Sequence, residues 1–323
     1  MNNRIAYHCI YFLSILFFLL TPFNPATAVT GSAPTPSNAT NKQATKLYQY
    51  IIKHGHRRTA SGAVRGYTLY IPQPDPSLPP PPFPIVLLAH GFLMTGFEQS
   101  INAKYLAERG FVVFTPNLSR LLWGDDKRMK NIADLVDHLS WLRTQSKTAN
   151  SPLNGIADPE RIAIGGNSSG GAVCLELLFE AQKANIPVQA VCSLEGVPWE
   201  RSLDRVPQLK PTHFLSLRAE SCICNENARM LYFLGLLKFP YDDIRINGAH
   251  HCDAENPPGF GCKFVCGRSR EVYRDLFKSL MCLYLQSTLK TATLNAPGEN
   301  FASVVQDLER EGRVSSHLSH RLP

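Results

Sequence analysis

Residues 161–172 read RIAIGGNSSGGA, and this stretch decides how the rest of the chain is read. Ile162, Ala163 and Ile164 form a short apolar run of the kind that makes a buried strand, and residues 172–183 just beyond read as a helix. Between them stands Gly166-Asn167-Ser168-Ser169-Gly170, a G-x-S-x-G pentapeptide at a strand-to-helix turn. A serine there is lifted clear of the sheet on a tight backbone, and the flanking glycines let strand and helix approach closely. The helix start favours developing negative charge. A glycine-rich turn alone is common; the strand before it, the helix after it and a histidine downstream make this one specific, and they point to Ser168 as a nucleophile.

Working outward, Ile85–Ala89 (IVLLA) is a continuous apolar run, typical of a central parallel strand buried on both faces. A helix containing Tyr105, Leu106 and Ala107 follows and ends at Gly110, and then comes the strand FVVFTP. Ile132, Leu135, Val136, Leu139 and Leu142 recur at helical spacing within 131–144. Further strands are read at 188–195, 212–220 and 243–248, and a last strong helix at 270–289. Earlier, 67–72 (YTLYIP) has strand chemistry, and the proline-rich 72–84 reads as a hairpin connector, because proline cannot donate to a ladder. Strands alternating with helices predict a mostly parallel sheet covered on both faces. With the serine turn, this is the α/β-hydrolase fold.

The chemistry then needs an oxyanion site and a base. His90-Gly91-Phe92, at the end of IVLLA, is placed to give one backbone N–H, from Phe92, while Ser169 gives the other; His90 reads as a structural hydrogen-bonder. The base should come late, because chain order in this fold runs Ser, acid, His. Asn247-Gly248-Ala249-His250-His251-Cys252 fits, with two histidines competing, whereas His54, His56, His138, His213, His317 and His320 lie in segments without that order.

These motifs resemble those of one broad branch of α/β hydrolases, which contains bacterial polyester hydrolases and cutinases, chlorophyllase-like proteins and secreted platelet-activating-factor acetylhydrolases. The resemblance covers roughly residues 60–290 and rests on HGF, DPERIAIGGNSSGG, SLEGVPW and NGAHHC. NGAHHC is similar to the N-G-A-S-H block of the polyester hydrolases, which implies that His251 is the catalytic histidine, and HGF is similar to their P-G-Y oxyanion loop, which implies Phe92. The polyester hydrolases carry their acid in an A-E-x-D stretch, and here Cys222 stands where that aspartate would be. Chlorophyllases and the acetylhydrolases carry it one strand earlier, in a block resembling 193–198, which makes Glu195 the first choice and Glu220 the reserve. The implied reaction is acyl transfer on a carboxylic ester through Ser168, His251 and Glu195, with no cofactor and no metal. A lipase or phospholipid-ester activity would use the same site, and a catalytically silent binding protein on this fold is the reading of another class. Trp123 and Trp199 are candidates for the acyl pocket or for the core.

The ends of the chain set the compartment. Arg4, an apolar run from Ile10 to Leu20 and Ala26-Thr27-Ala28 have the layout of a signal peptide, 1–28, so the chain is expected to be secreted or periplasmic. The run is shorter than the ~20 residues a spanning helix needs, and no later stretch is long and apolar enough, so no integral membrane segment is expected after cleavage. Residues 29–43 read as a disordered tether, 44–295 as the catalytic domain, and 296–323 as a tail with room for a helix. The formal charge of +7 is mild, and no basic block is interleaved with aromatics, so nucleic acid is not an expected partner. Absence of a G-x-G-x-x-G after an early strand argues against a dehydrogenase. Six of the nine cysteines lie between Cys222 and Cys282, and export favours at least two disulfides there. The competing reading is a zinc site from Cys222, Cys224, His250, His251, Cys252, Cys262 and Cys266, but none of these pairs has C-x2-C spacing.

Overall fold

The computed structural model describes residues 46–119, 125–259, 261–289 and 300–318. The expected leader and tether, and Trp123, lie outside these residues. Among the described residues, nine strands form one sheet: β1 (Tyr50–Arg58), β2 (Val64–Pro72), β3 (Phe83–Ala89), β4 (Val112–Pro116), β5 (Ala157–Asn167), β6 (Val188–Leu194), β7 (His213–Arg218), β8 (Asp242–Ile246) and β9 (Val314–Leu318). Their order is β1-β2-β4-β3-β5-β6-β7-β8-β9. From β4 to β8 every neighbour is parallel, while β1, β2 and β9 run antiparallel at the two margins. The chain therefore has the α/β-hydrolase architecture.

Helices α1 (Ser100–Ala107), α2 (Asp125–Gln145), α3 (Ser169–Lys183), α4 (Glu271–Thr288) and α5 (Phe301–Arg310) cover the sheet. The apolar strands explain why both faces are covered. Side chains alternate along a strand, so Ile85, Leu87 and Ala89 of β3 join one core with Leu135, Leu139 and Leu175 of α2 and α3. Val86 and Leu88 point the other way, into a second core with Leu106, Phe277 and Leu280 of α1 and α4. Burying each such Leu or Ile contributes roughly 1.5–3 kcal/mol. Among the described residues, no helix is long and apolar enough to cross a membrane.

One reading of the sequence is corrected and one is extended. The proline-rich stretch is not a hairpin connector: β2 pairs with β1 and β4, and the connection passes over β4 to reach β3. The tail is more than a helix, since β9 within it pairs antiparallel with β8 and extends the sheet.

Candidate active site

The carboxyl ends of β5, β6 and β8 converge on one place. Ser168, between the last residue of β5 and the first of α3, has φ 55° and ψ −123°, a strained conformation for a residue with a Cβ. Neighbouring glycines make the turn sterically feasible. A Cβ on Gly170 would lie 2.5 Å from the carbonyl oxygens of Ala89 and His90, and one on Gly166 would lie 2.7 Å from Gly170. Asn167 is braced from the side, because its Oδ1 accepts a 2.7 Å bond from Gln99 Nε2, whose Oε1 in turn accepts from Asn102. The positive end of the α3 dipole lies under Ser168, with the Ser169 amide in the first turn.

Glu195, just beyond β6, also has positive φ, 51°, and its backbone N–H is held at 2.7 Å by the Leu217 carbonyl. Three donors converge on its buried carboxylate: the Ala219 N–H on Oε1, with Asn225 Nδ2 at 3.0 Å and His251 Nδ1 at 2.9 Å on Oε2. The other ring nitrogen of His251, Nε2, lies 2.9 Å from Ser168 Oγ. Ser168, His251 and Glu195 thus form one continuous hydrogen-bonded line, with Ser168 half-exposed and the other two buried.

The loop that carries His251 is fixed from several directions. Asp253 accepts the His250 N–H at 2.8 Å and the Arg270 N–H at 2.6 Å, tying the turn to the start of α4. Cys252 is bonded to Cys262, and Cys224 to Cys266, so one disulfide begins beside His251 and the other beside Asn225. These pairings use four members of the cysteine cluster as disulfide sulfurs, not as the thiolates a zinc site would need. Cys174, Cys192, Cys222 and Cys282 are free.

The rival residues lie elsewhere. His250 is exposed. Glu220 accepts the Gly248 N–H at 3.0 Å and lies 3.6 Å from Arg245, away from His251. His90 is a structural hydrogen-bonder, with Nδ1 2.8 Å from the Gly91 carbonyl and Nε2 accepting the Leu118 N–H. Gly91 packs against the serine turn, its Cβ position falling 3.5 Å from the Asn167 carbonyl, and Phe92 follows it in the chain. Trp199 packs against the core under the Arg128 guanidinium, 4.8 Å above its ring.

Two residues at the site escaped the sequence reading. Asn225 accepts the N–H groups of Cys222 and Ala228 with one amide atom while donating to Glu195 and to the Glu220 carbonyl with the other. Glu255 is a fully buried carboxyl four residues past His251; its Oε2 accepts the Gly259 N–H at 2.7 Å, and Oε1 has no hydrogen-bond partner among the described residues. Burial pushes its pKa up to about 7, against the Gly259 bond and the nearby His251, while Glu98 adds to the rise. No signal in the sequence marks either residue, because both are polar and lie in loops.

The chlorophyllase family model matches residues 49–224, more than half of the chain. The chain belongs to the chlorophyllase family. That match contains Ser168 and Glu195 and ends at Cys224, before His251. The chain is also similar to chlorophyllase type 0 of Chenopodium album, with 24% identity over 210 residues, 61% of this chain and 60% of that relative. It therefore spans about three-fifths of the length of the curated relative it matches. A cavity of about 710 Å³ at the opposite end of the sheet is lined by Val188, His213 and Asp242, which begin or precede β6, β7 and β8, and none of Ser168, Glu195 and His251 borders it.

Proposed function

We propose that this member of the chlorophyllase family is an exported serine hydrolase that cleaves carboxylic esters through an acyl-enzyme. The observation that carries the reading is the unbroken line from Ser168 Oγ through His251 to Glu195, 2.9 Å at each step. Ser168 Oγ attacks the ester carbonyl while His251 Nε2 takes its proton. Glu195 accepts the Nδ1–H, fixes the tautomer and stabilises the imidazolium as it forms. The developing oxyanion is held by the backbone N–H groups of Phe92 and Ser169, the second strengthened by the α3 dipole. The proton returns from His251 to the departing alcohol, and a water activated by the same histidine then releases the acid. No cofactor takes part. The leader layout and the two disulfides support export to the medium or periplasm.

Hydrolysis of p-nitrophenyl esters of graded chain length tests this reading. The protein should release p-nitrophenol at a rate that collapses in Ser168→Ala to the residual ~10³ to 10⁴ over water that an oxyanion site alone supplies. Equal turnover by Ser168→Ala would refute it, and inertness of the wild type toward every chain length would favour a binding protein.

A further inference from the structure

Among the described residues, large apolar side chains left in water are not spread evenly. Leu93 and Phe97 lie in the loop after β3, Ile223 and Tyr232 in the segment after β7, and Phe264 and Val265 in the loop after β8. These three loops all rise from the carboxyl end of the sheet, the end that holds Ser168, Glu195 and His251. Phe97, Tyr232 and Phe264 are 67%, 63% and 66% exposed. The loops are also joined. Cys224–Cys266 ties the β7 segment to the β8 loop, with Ile223 and Val265 adjacent in sequence to the two sulfurs and the Cα atoms 5.8 Å apart. On the other side the Asn256 N–H donates to the Glu98 carbonyl at 2.9 Å, which holds the β8 loop to the β3 loop. The apolar side chains therefore stand on a braced rim at the end of the sheet that holds the half-exposed Ser168.

We infer that this rim docks on the surface of a neutral lipid layer and brings Ser168 against esters held in that layer. This deepens the ester-hydrolase reading and rests on it for the substrate, though not for the docking. A lipid surface fits better than a protein partner for two reasons. The side chains come from three separate loops, which suits a broad surface better than a single bound helix or strand. Charges on the β7 segment are balanced as well, with Glu220 and Glu226 against Arg229 and Lys238, so that segment offers neither sign to an ionic partner. Six large exposed apolar side chains gathered at one end of the sheet mark a surface that is covered in use. Aromatic side chains also favour the depth at which lipid head groups meet the hydrocarbon.

The test is sedimentation of the purified mature protein with phosphatidylcholine vesicles, beside Phe264→Ser/Tyr232→Ser and a Val64→Ser control. Val64 is equally exposed but starts β2, in the hairpin at the sheet margin. The wild type and Val64→Ser should pellet alike, and the double variant should pellet at least fivefold less, with little effect of salt. Hydrolysis of soluble p-nitrophenyl acetate should be unchanged in the double variant, whereas release of acid from a long-chain ester carried in the vesicles should fall. Failure of the wild type to pellet, or equal pelleting of the double variant, overturns the docking. A wild type that pellets but hydrolyses no ester keeps the docking and removes the esterase. One that hydrolyses the soluble ester but ignores vesicles does the reverse.

Discussion

Replacing Glu195 by glutamine separates the proposed orienting acid from a merely structural glutamate. The carboxylate accepts from three donors, Ala219 N–H, Asn225 Nδ2 and His251 Nδ1. An amide has one acceptor oxygen. If that oxygen stays on Ala219, the new NH₂ faces both Asn225 Nδ2 and His251 Nδ1; His251 must then hold its proton on Nε2, toward Ser168, and can no longer act as base. If the amide flips, the buried Ala219 N–H loses its partner. Catalysis should fall on the order of 10⁴ in kcat, about 5 kcal/mol of barrier, as loss of the acid does in other triads. Folding should lose only about 1–3 kcal/mol for the unsatisfied buried group. Glu220→Gln is the matched control, since Glu220 is partly exposed and bonded to Gly248 and Arg245, and its kcat should stay within about threefold of wild type. Steady-state kinetics on a p-nitrophenyl ester with thermal melts of all three proteins decide the matter. A Glu195→Gln enzyme within about tenfold of wild type, roughly 1.4 kcal/mol, beside a nearly dead but fully folded Glu220→Gln enzyme would refute the reasoning.

Two further outcomes are expected. Asn225→Ala removes one donor to Glu195 and the acceptor for two loop N–H groups, so kcat should drop about tenfold at unchanged KM and stability should fall by about 1–3 kcal/mol; a KM effect alone would contradict a positioning role. Glu255, with its pKa raised from 4.5 to about 7, keeps its proton in the folded state after the unfolded chain has released it, so its contribution to stability falls as pH rises through that window, by about 3 kcal/mol in all. Glu255→Gln should flatten that slope and exceed the wild type in stability at pH 8, which denaturant melts from pH 4.5 to 8 would show; parallel curves for the two proteins would count against it.

What could be read from the sequence follows from physical constraint. The central strands were legible because burial on both faces forces unbroken apolar runs such as IVLLA and RIAIG. β1 was not, because YIIKHGHRR lies at the margin, is mostly exposed and carries a Gly and five cationic or imidazole side chains instead of an apolar pattern. β9 is five residues of VSSHL and becomes a strand only because β8 leaves an edge for it. The nucleophile was marked by the steric needs of its turn, visible as glycines. The choices between His250 and His251, and between Glu195 and Glu220, rested on resemblance alone, since sequence spacing does not reveal which side chain points inward. Disulfide pairing was equally hidden: Cys224 joins Cys266 across 42 residues, while Cys222, two positions away, stays free.

The most direct measurement is covalent labelling. A fluorophosphonate phosphonylates a serine whose proton a neighbouring base can accept, so the protein should take up one equivalent, located by peptide mass on Ser168. Labelling should vanish in Ser168→Ala and slow severely in His251→Ala. A label found on another residue, or one that survives Ser168→Ala, would contradict the account.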